Sequence, residues 1–371
     1  MKFYMINKHK SMVVRIVILI IVSLLIYISH TTQVLGSNID SKEEIASSIE
    51  KIFQNRNKAI LDKNLQMIEP IYDKSTKYGV WAYEHEKKKI NYIESWEEKQ
   101  GVKFTDILSK ILIKSIKGKE DKYTVSLLCS MEYKYIYENE PQLVNTSRIG
   151  MHHLLNIVNK DGVWLITKEW YEDPFADSLN LDSLKADSIR QYISSQTSRD
   201  ISNISERRIK AVEYADQYSG AANDEVYGFK YNKKYRDYNP MGGDCANFAS
   251  QILFEGGGFR KNSAWNYDNI GATRAWLNAD GFKAYMLHSG RASVIAYGNY
   301  EKVYKDSYKL LPGDFIAYEK KGDIKHISVV TGVDSKGYPL ISCHNTDRNR
   351  VPWDLGWSNK NIKFWLIHVN Y

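Results

Sequence analysis

The stretch from Gly242 to Gln251, GGDCANFASQ, decides the fold of the second half of the chain, because it places a cysteine directly before a helical pattern. Apolar residues recur at helical spacing after Cys245, and a glycine run follows them at residues 256–258. Asp244 is a residue type that favours the N-cap position. The stretch therefore predicts a helix that begins at Cys245.

A cysteine at a helix start has a chemical consequence. The unpaired N–H groups and the positive end of the helix dipole lower a thiol pKa, and the same groups stabilise an oxyanion. The carboxylate of Asp244 opposes this effect unless it is turned into the cap. We therefore expect Cys245 to be a reactive thiol with a lowered pKa, provided that a base lies near it.

The candidate base lies in the stretch LLPGDFIAYEKKGDIKHISVVTGVDSKGYPLISCHNTDR. It predicts three antiparallel strands, of which the second opens at His326 and presents its small residues, Ser328 and Gly332, to the Cys245 helix. Counting across the Asp-Ser-Lys-Gly turn sets Asn345 opposite His326, whereas a one-residue bulge would set His344 there. The candidate set is thus a nucleophile, a base and an orienting residue, namely Cys245, His326 and either His344 or Asn345.

Five blocks in this order, DCANFASQ, WNYDNIGATRAW, PGDFIAY, HISVVTG and HNTDR, resemble the bacterial putative amidase domain family over residues 205–371. That family belongs to the papain-like clan, alongside the NlpC and CHAP cell-wall hydrolases. The resemblance implies a papain-like α+β domain with a cysteine helix packed on an antiparallel sheet. It also implies that Cys245 is the nucleophile, His326 the general base and acid, and His344, in preference to Asn345, the orienting residue. It implies no metal and no organic cofactor.

The sequence leaves the roles of other residues in this region open or predicts them to be structural. Asp347 and Arg348 form either a supporting ion pair or a weak surface pair. Cys343 is expected to face away from His344 and to be inert. The aromatic residues Trp265, Tyr267 and Trp276 line a substrate groove or pack in the core, and core packing is expected for at least one of the tryptophans.

The first half of the chain predicts helices followed by a strand meander over residues 37–175, with an Asn-Lys-Asp-Gly turn between the last two strands. This order resembles the cone-shaped fold of the nuclear-transport-factor and polyketide-cyclase-like superfamily. His152 and His153 are adjacent in a strand, so they point to opposite faces and make a poor metal pair. A polar linker is expected over residues 176–204, and the chain as a whole is predicted to be α+β.

The N-terminus predicts export. Lys and Arg residues precede the apolar run IVILIIVSLLIYI at residues 16–28, within a 36-residue leader. The run is short for a membrane span but crosses if extended to residues 12–29, so it is either cleaved before Ser37 or kept as an anchor. The rest of the chain is then extracytoplasmic. Three cysteines cannot build a disulfide framework.

The net charge of +7 suits an anionic setting such as a membrane surface or an acidic wall polymer, although scattered lysines are also typical of a solvated surface. The absence of a reader motif and the expected export disfavour nucleic-acid binding. The sequence therefore predicts an exported cysteine amidase or peptidase that hydrolyses peptides, such as those of peptidoglycan, through an acyl-enzyme. The alternative is a catalytically silent module that binds cell-wall or spore-surface material.

Overall fold

The computed structural model describes residues 20–24, 27, 42–175, 184–223, 228–357 and 361–371. The chain divides into two compact units, residues 1–52 and 53–371. Most of the expected signal or anchor segment, residues 12–29, lies outside the described residues. Within the described ranges, no helix is both long enough and apolar enough to cross a membrane.

In the described ranges, two long helices precede the sheet. Helix α1 covers residues 42–61, and helix α2 covers Lys77–Gln100. The side chain of Thr76 accepts a hydrogen bond from the Gly79 N–H and so begins α2. Gly101 ends it in the left-handed region, at φ 71°, a conformation that glycine adopts without strain. These two helices confirm the prediction that helices precede the strand meander.

Ten strands of the described residues form one antiparallel sheet. The first four are a meander in which β3 and β4 meet at the predicted turn: β1 Val102–Lys119, β2 Lys122–Tyr137, β3 Glu140–Lys160 and β4 Val163–Trp170. The other six follow later in the chain: β7 Ala292–Gly298, β8 Phe315–Lys320, β9 Asp323–Val333, β10 Pro339–Cys343, β11 Asp347–Pro352 and β12 Ile362–Val369. Two short strands form a separate hairpin, β5 Tyr267–Asp268 and β6 Gly271–Ala272.

The sheet runs without interruption from one predicted domain into the other. Its strand order is β1-β2-β3-β11-β10-β9-β8-β12-β7, with β4 on the other side of β3. Strand β11 pairs with β3 through Asp347 opposite Gly150. The fold is therefore mixed α+β with a large antiparallel sheet, as predicted, and the domain boundaries at residues 175 and 205 stay predictions.

A buried polar cluster also joins α2 to the C-terminal strands. The Lys99 Nζ lies 2.8 Å from an Asp354 Oδ, and both side chains are fully buried. Tyr338 OH and Trp96 Nε1 donate to the same carboxylate, at 2.7 and 3.2 Å. These contacts satisfy a charge pair that would otherwise be costly to bury.

Six further helices complete the described chain: α3 Ala186–Ser194, α4 Glu206–Gln217, α5 Cys245–Gln251, α6 Arg274–Leu277, α7 Ala279–His288 and α8 Tyr300–Val303. Helix α3 lies in the predicted linker, of which the structure describes residues 184–204. The predicted helix at Cys245 is confirmed, and a π-helical turn, Ile252–Gly256, prolongs it. Its apolar side packs in one core cluster with Ile327 and Val329 of β9.

Candidate active site

Cys245 is the first residue of α5, and Asp244 precedes it at the N-cap position. The Asp244 side chain does not cap the helix. One carboxylate oxygen instead accepts from the Tyr238 N–H at 3.1 Å and from Asn247 Nδ2 at 2.8 Å. The other oxygen faces the imidazole of His344.

The Cys245 sulfur lies at the edge of β9, at the point where β10 has ended. The pairing of β10 with β9 stops at Ser342 opposite Val329. Two residues further along β9, the Ile327 N–H has no partner in β10, and it donates to the Cys245 sulfur instead. The end of β10 thus makes room for the thiol at the sheet.

The thiol pKa departs from the sequence prediction. Burial raises the pKa of Cys245 to about 12, although the Ile327 N–H lowers it in part. The expected lowered pKa is therefore wrong for this conformation. The residue is only 8% exposed, so the cost of removing the thiolate from water outweighs the favourable helix start.

His344 is the imidazole that faces Asp244. Its Nδ1 lies 2.6 Å from the second Asp244 oxygen, and its Nε2 lies 2.8 Å from the Tyr218 carbonyl oxygen. Its ring stacks on Phe248, one turn along α5, at 3.7 Å between centroids. Burial alone would lower the His344 pKa, but the hydrogen bond to Asp244 and the charges of Asp347 and Asp244 raise it overall. Both ring nitrogens face acceptors, which fits a protonated ring.

Asn345 does not lie opposite His326, because the chain leaves the ladder at the end of β10. Asn345 and Thr346 both adopt left-handed backbone conformations, at φ 69° and 55°. The Asn345 side-chain oxygen accepts a hydrogen bond from the Asp244 N–H. Gly243, at φ 137°, lies so close that an added Cβ would be 2.5 Å from Asn345 Nδ2. In this structure Asn345 holds the loop before Cys245.

His326 lies on the other face of β9 from Ile327, because neighbouring strand residues alternate. The face that packs on α5 therefore carries Ile327 and Val329, and the prediction that Ser328 would do so is wrong. The His326 ring lies 5.5 Å from Tyr318 and 5.3 Å from Trp357, between ring centroids.

The His326 imidazole is buried, and no opposite charge pairs with it in the part of the chain that the structure describes. Its Nε2 has no hydrogen-bond partner among the described residues, and no hydrogen bond joins it to Cys245. Burial, with a contribution from the Arg348 charge, lowers the His326 pKa to about 3. The structure thus brings His344 to α5 but does not assemble the predicted triad, and the catalytic roles of Cys245, His326, His344 and Asn345 stay predictions.

The remaining predicted residues are mostly structural. Asp347 accepts from the Ala221 N–H at 2.7 Å, whereas Arg348 donates to the Leu355 carbonyl at 2.8 Å, so the proposed pair between them does not form. Trp265 and Trp276 are both fully buried, which confirms core packing. Cys343 is buried, and burial raises its pKa to about 11.

The two adjacent histidines point to opposite faces, as expected. His153 is buried against Glu169 at 2.8 Å, and His152 lies 3.0 Å from the Ser126 hydroxyl. Across the described ranges, no group of three or more His, Cys, Asp or Glu side chains could hold a metal ion.

The side-chain contact that sequence reasoning missed is the pairing of Asp244 with His344. The signal was present, since an acidic residue directly precedes the cysteine. Local helix rules assign that carboxylate to the cap, and only the tertiary structure reveals the imidazole partner.

Two curated relatives each match less than half of the chain. The uncharacterized protein YhbB of Bacillus subtilis (strain 168) is 27% identical over 179 residues, which is 44% of this chain and 50% of YhbB. The uncharacterized protein YjcM of the same strain is 31% identical over 163 residues, which is 41% of this chain and 36% of YjcM. The chain thus spans half or less of the length of each.

Solved structures match only loosely. The intermembrane space region of the chloroplast protein ARC6 gives a TM-score of 0.25 at 14% identity, over 36% of this chain and 94% of that one. A putative scytalone dehydratase from Novosphingobium aromaticivorans DSM 12444 gives 0.27 at 13% identity, over 36% and 86%. These scores are too low to assign a fold, so the cone-like fold stays a prediction. Residues 205–367, in contrast, match the family model described as a putative amidase domain, which supports the resemblance predicted there and suggests a hydrolase of the amidase type.

Proposed function

We propose that the C-terminal region is a cysteine-dependent amide hydrolase in which Cys245 is the nucleophile. The observation that carries this proposal is the position of Cys245, which begins α5 next to Asp244, while Asp244 binds His344 at 2.6 Å. A thiol, an imidazole and a carboxylate are the groups that covalent amide hydrolysis requires.

Of the two imidazoles, His344 is the better candidate for the general base. It has a carboxylate partner that fixes its orientation, and its ring packs on the helix that carries Cys245. His326 has no carboxylate partner among the described residues, and a pKa of about 3 makes it a weak proton acceptor near neutral pH. This assignment differs from the one that the family resemblance implies.

The proposed reaction begins when the His344 Nε2 gives its proton to solvent water and the ring turns from the Tyr218 carbonyl toward the Cys245 thiol. Neutral His344 then takes the thiol proton as the sulfur attacks the amide carbonyl carbon. The C–N bond breaks, and the imidazolium gives its proton to the departing amine. Water, deprotonated by the imidazole, hydrolyses the thioester to release the carboxylic acid and restore the thiol.

We place the substrate among cell-wall peptides and the protein outside the cytoplasm. The apolar run at residues 16–28 with its preceding basic residues supports export, and the net charge of +7 supports an anionic setting. The resemblance to the papain-like clan supports a peptide substrate.

A second candidate function is a catalytically silent binding module. The observation that favours it is the buried Cys245 thiol, with its pKa of about 12 and no imidazole hydrogen-bonded to it. In this function the domain binds cell-wall or spore-surface material without cleaving it.

The two functions separate in one experiment. The full chain and its variants are incubated with peptidoglycan fragments and simple peptide amides, and released amines are followed by mass spectrometry. Hydrolysis by the wild type that Cys245→Ala abolishes and Cys129→Ala retains supports the enzyme. Equal wall binding by wild type and Cys245→Ala, with no product from either, supports the binding module.

The same assay assigns the base. We expect His344→Gln to lower kcat by about 10²- to 10⁴-fold, and His326→Gln to have a smaller effect. The reverse order would return the base role to His326. Circular dichroism of each variant shows whether a loss of rate reflects a loss of fold.

A further inference from the structure

A cavity of about 430 Å³ lies where β3 pairs with β11. Apolar side chains from the meander and from the segment before α5 form much of its wall, among them Leu128, Met151, Trp170 and Phe229. Its volume is in the range of small-molecule sites. Cys245 is not among its lining residues.

Close backbone packing builds one side of this cavity. Gly150 of β3 approaches Ala221 so closely that an added Cβ would collide with it. Gly220, at φ 62°, packs in the same way against Tyr231 and Asp347. These glycines let the segment after α4 lie directly on the strands, so the cavity is a formed feature of the fold.

Carboxylates outnumber cations at the cavity, where His152 lines the wall and Lys110 Nζ lies 5.6 Å from the centroid of the Phe229 ring. Its ionisable lining residues include three carboxylic acids, Glu172, Asp237 and Asp347, and no lysine or arginine is present among its described lining residues. The whole chain carries +7. Asp347 is 6% exposed and is held in place by the Ala221 N–H at 2.7 Å and the Tyr231 hydroxyl at 2.7 Å.

We propose that this cavity binds an organic cation, a primary ammonium group carried on an apolar body. The aromatic and aliphatic walls take the apolar body, and the carboxylates offset the positive charge, which is attracted more strongly in a partly enclosed site than in water. An anion of the same shape would meet the carboxylates with repulsion. The site does not use Cys245, so it stands whether or not the chain hydrolyses amides.

The test compares three probes of one chain length by isothermal titration calorimetry on the full chain: hexylamine, hexanol and hexanoate. We expect hexylamine to bind roughly tenfold more tightly than hexanol, and hexanoate to bind least. Leu-Leu-amide and its N-acetylated form are compared in the same way, which shows whether a peptide N-terminus or only a free small amine is accepted. The proposal is overturned if hexanoate binds as tightly as hexylamine. It is also overturned if neither the hexyl probes nor the Leu-Leu-amide pair shows tighter binding of the cation.

Variants locate the binding. The double variant Glu172→Gln with Asp237→Asn changes two exposed side chains, and we expect it to weaken hexylamine about fivefold while leaving hexanol unchanged. Phe229→Ala should weaken both. Asp323→Asn, an exposed acid outside the cavity, is the matched control. Unchanged hexylamine affinity in the double variant contradicts the assignment, and Cys245→Ala should bind like the wild type.

Discussion

His344 and Asp244 form a buried ion pair, with 2.6 Å between Nδ1 and the carboxylate, and their side chains are 1% and 2% exposed. The pair ties the residue before the cysteine helix to the residue after β10. Since the His344 Nε2 also meets a carbonyl oxygen, the ring is held from both sides. Removing either member leaves a buried charged or polar group without its partner.

We expect Asp244→Asn to lower the free energy of unfolding by roughly 3 kcal/mol near pH 6. The folded-state pKa of His344 is raised, so the pair stabilises fully below the unfolded pKa of about 6.5 and loses its effect as pH rises through the folded value. Urea unfolding from pH 5 to 9 should show this loss of stability in the wild type. In the variant, the free energy of unfolding should depend less on pH. A parallel pair of curves contradicts the assignment.

His326 predicts the opposite dependence on pH. Its folded pKa of about 3 lies below the unfolded value of about 6.5, so the unfolded chain binds the proton first and stability falls as pH drops from 6.5 to 3. The slope from this group reaches at most about 1.4 kcal/mol per pH unit. Asp334 and Asp347 have the opposite effect. Burial raises their pKa values to about 6, so their contribution lowers the free energy of unfolding as pH rises toward 6.

The His326 contribution is isolated by the difference between the wild type and His326→Phe, which keeps an aromatic ring beside Trp357. We expect the variant to gain stability relative to the wild type as pH falls from 6.5. A difference that stays constant over that range would show that His326 titrates normally.

Thiol alkylation tests the Cys245 pKa. With a pKa of about 12, the thiolate fraction rises about tenfold per pH unit between pH 7 and 9. Iodoacetamide labelling followed by peptide mapping should therefore show a rate for Cys245 that climbs steeply with pH. A rate that is fast and level above pH 7 would restore the lowered pKa that the helix start alone predicts.

The fold could be predicted where local signals dominate. The helix at Cys245 follows from apolar spacing and a glycine stop, and α2 ends at Gly101 because only glycine takes that backbone conformation easily. The β3–β4 turn likewise follows from its four residues. These features depend on neighbours in sequence.

The site could be predicted only in part. The pairing of β3 with β11 joins residues nearly 200 positions apart, as in Asp347 opposite Gly150, and no local pattern specifies it. The position of His344 depends on where β10 ends, which hairpin counting cannot supply. The two left-handed residues Asn345 and Thr346 turn the chain there, although neither is a glycine.

The Lys99–Asp354 pair predicts strong coupling between α2 and the C-terminal strands. Lys99→Met leaves the Asp354 carboxylate buried without its cation, and we expect a loss of about 3–5 kcal/mol in unfolding free energy. The control is Lys309→Met, whose own side chain is exposed and whose partner Asp306 is partly exposed, at a cost below about 1 kcal/mol. Equal effects of the two changes would show that the buried pair is not coupled to folding.

The central claim is that Cys245 becomes acylated, and mass spectrometry of the acid-quenched reaction tests it most directly. The wild type is mixed with an intact peptide amide that it is able to hydrolyse. We predict an added acyl mass on the tryptic peptide that contains Cys245, and no added mass in Cys245→Ala. The adduct should accumulate more slowly in His344→Gln. An acyl group found on Cys343, or amine release that continues undiminished in Cys245→Ala, would contradict the claim.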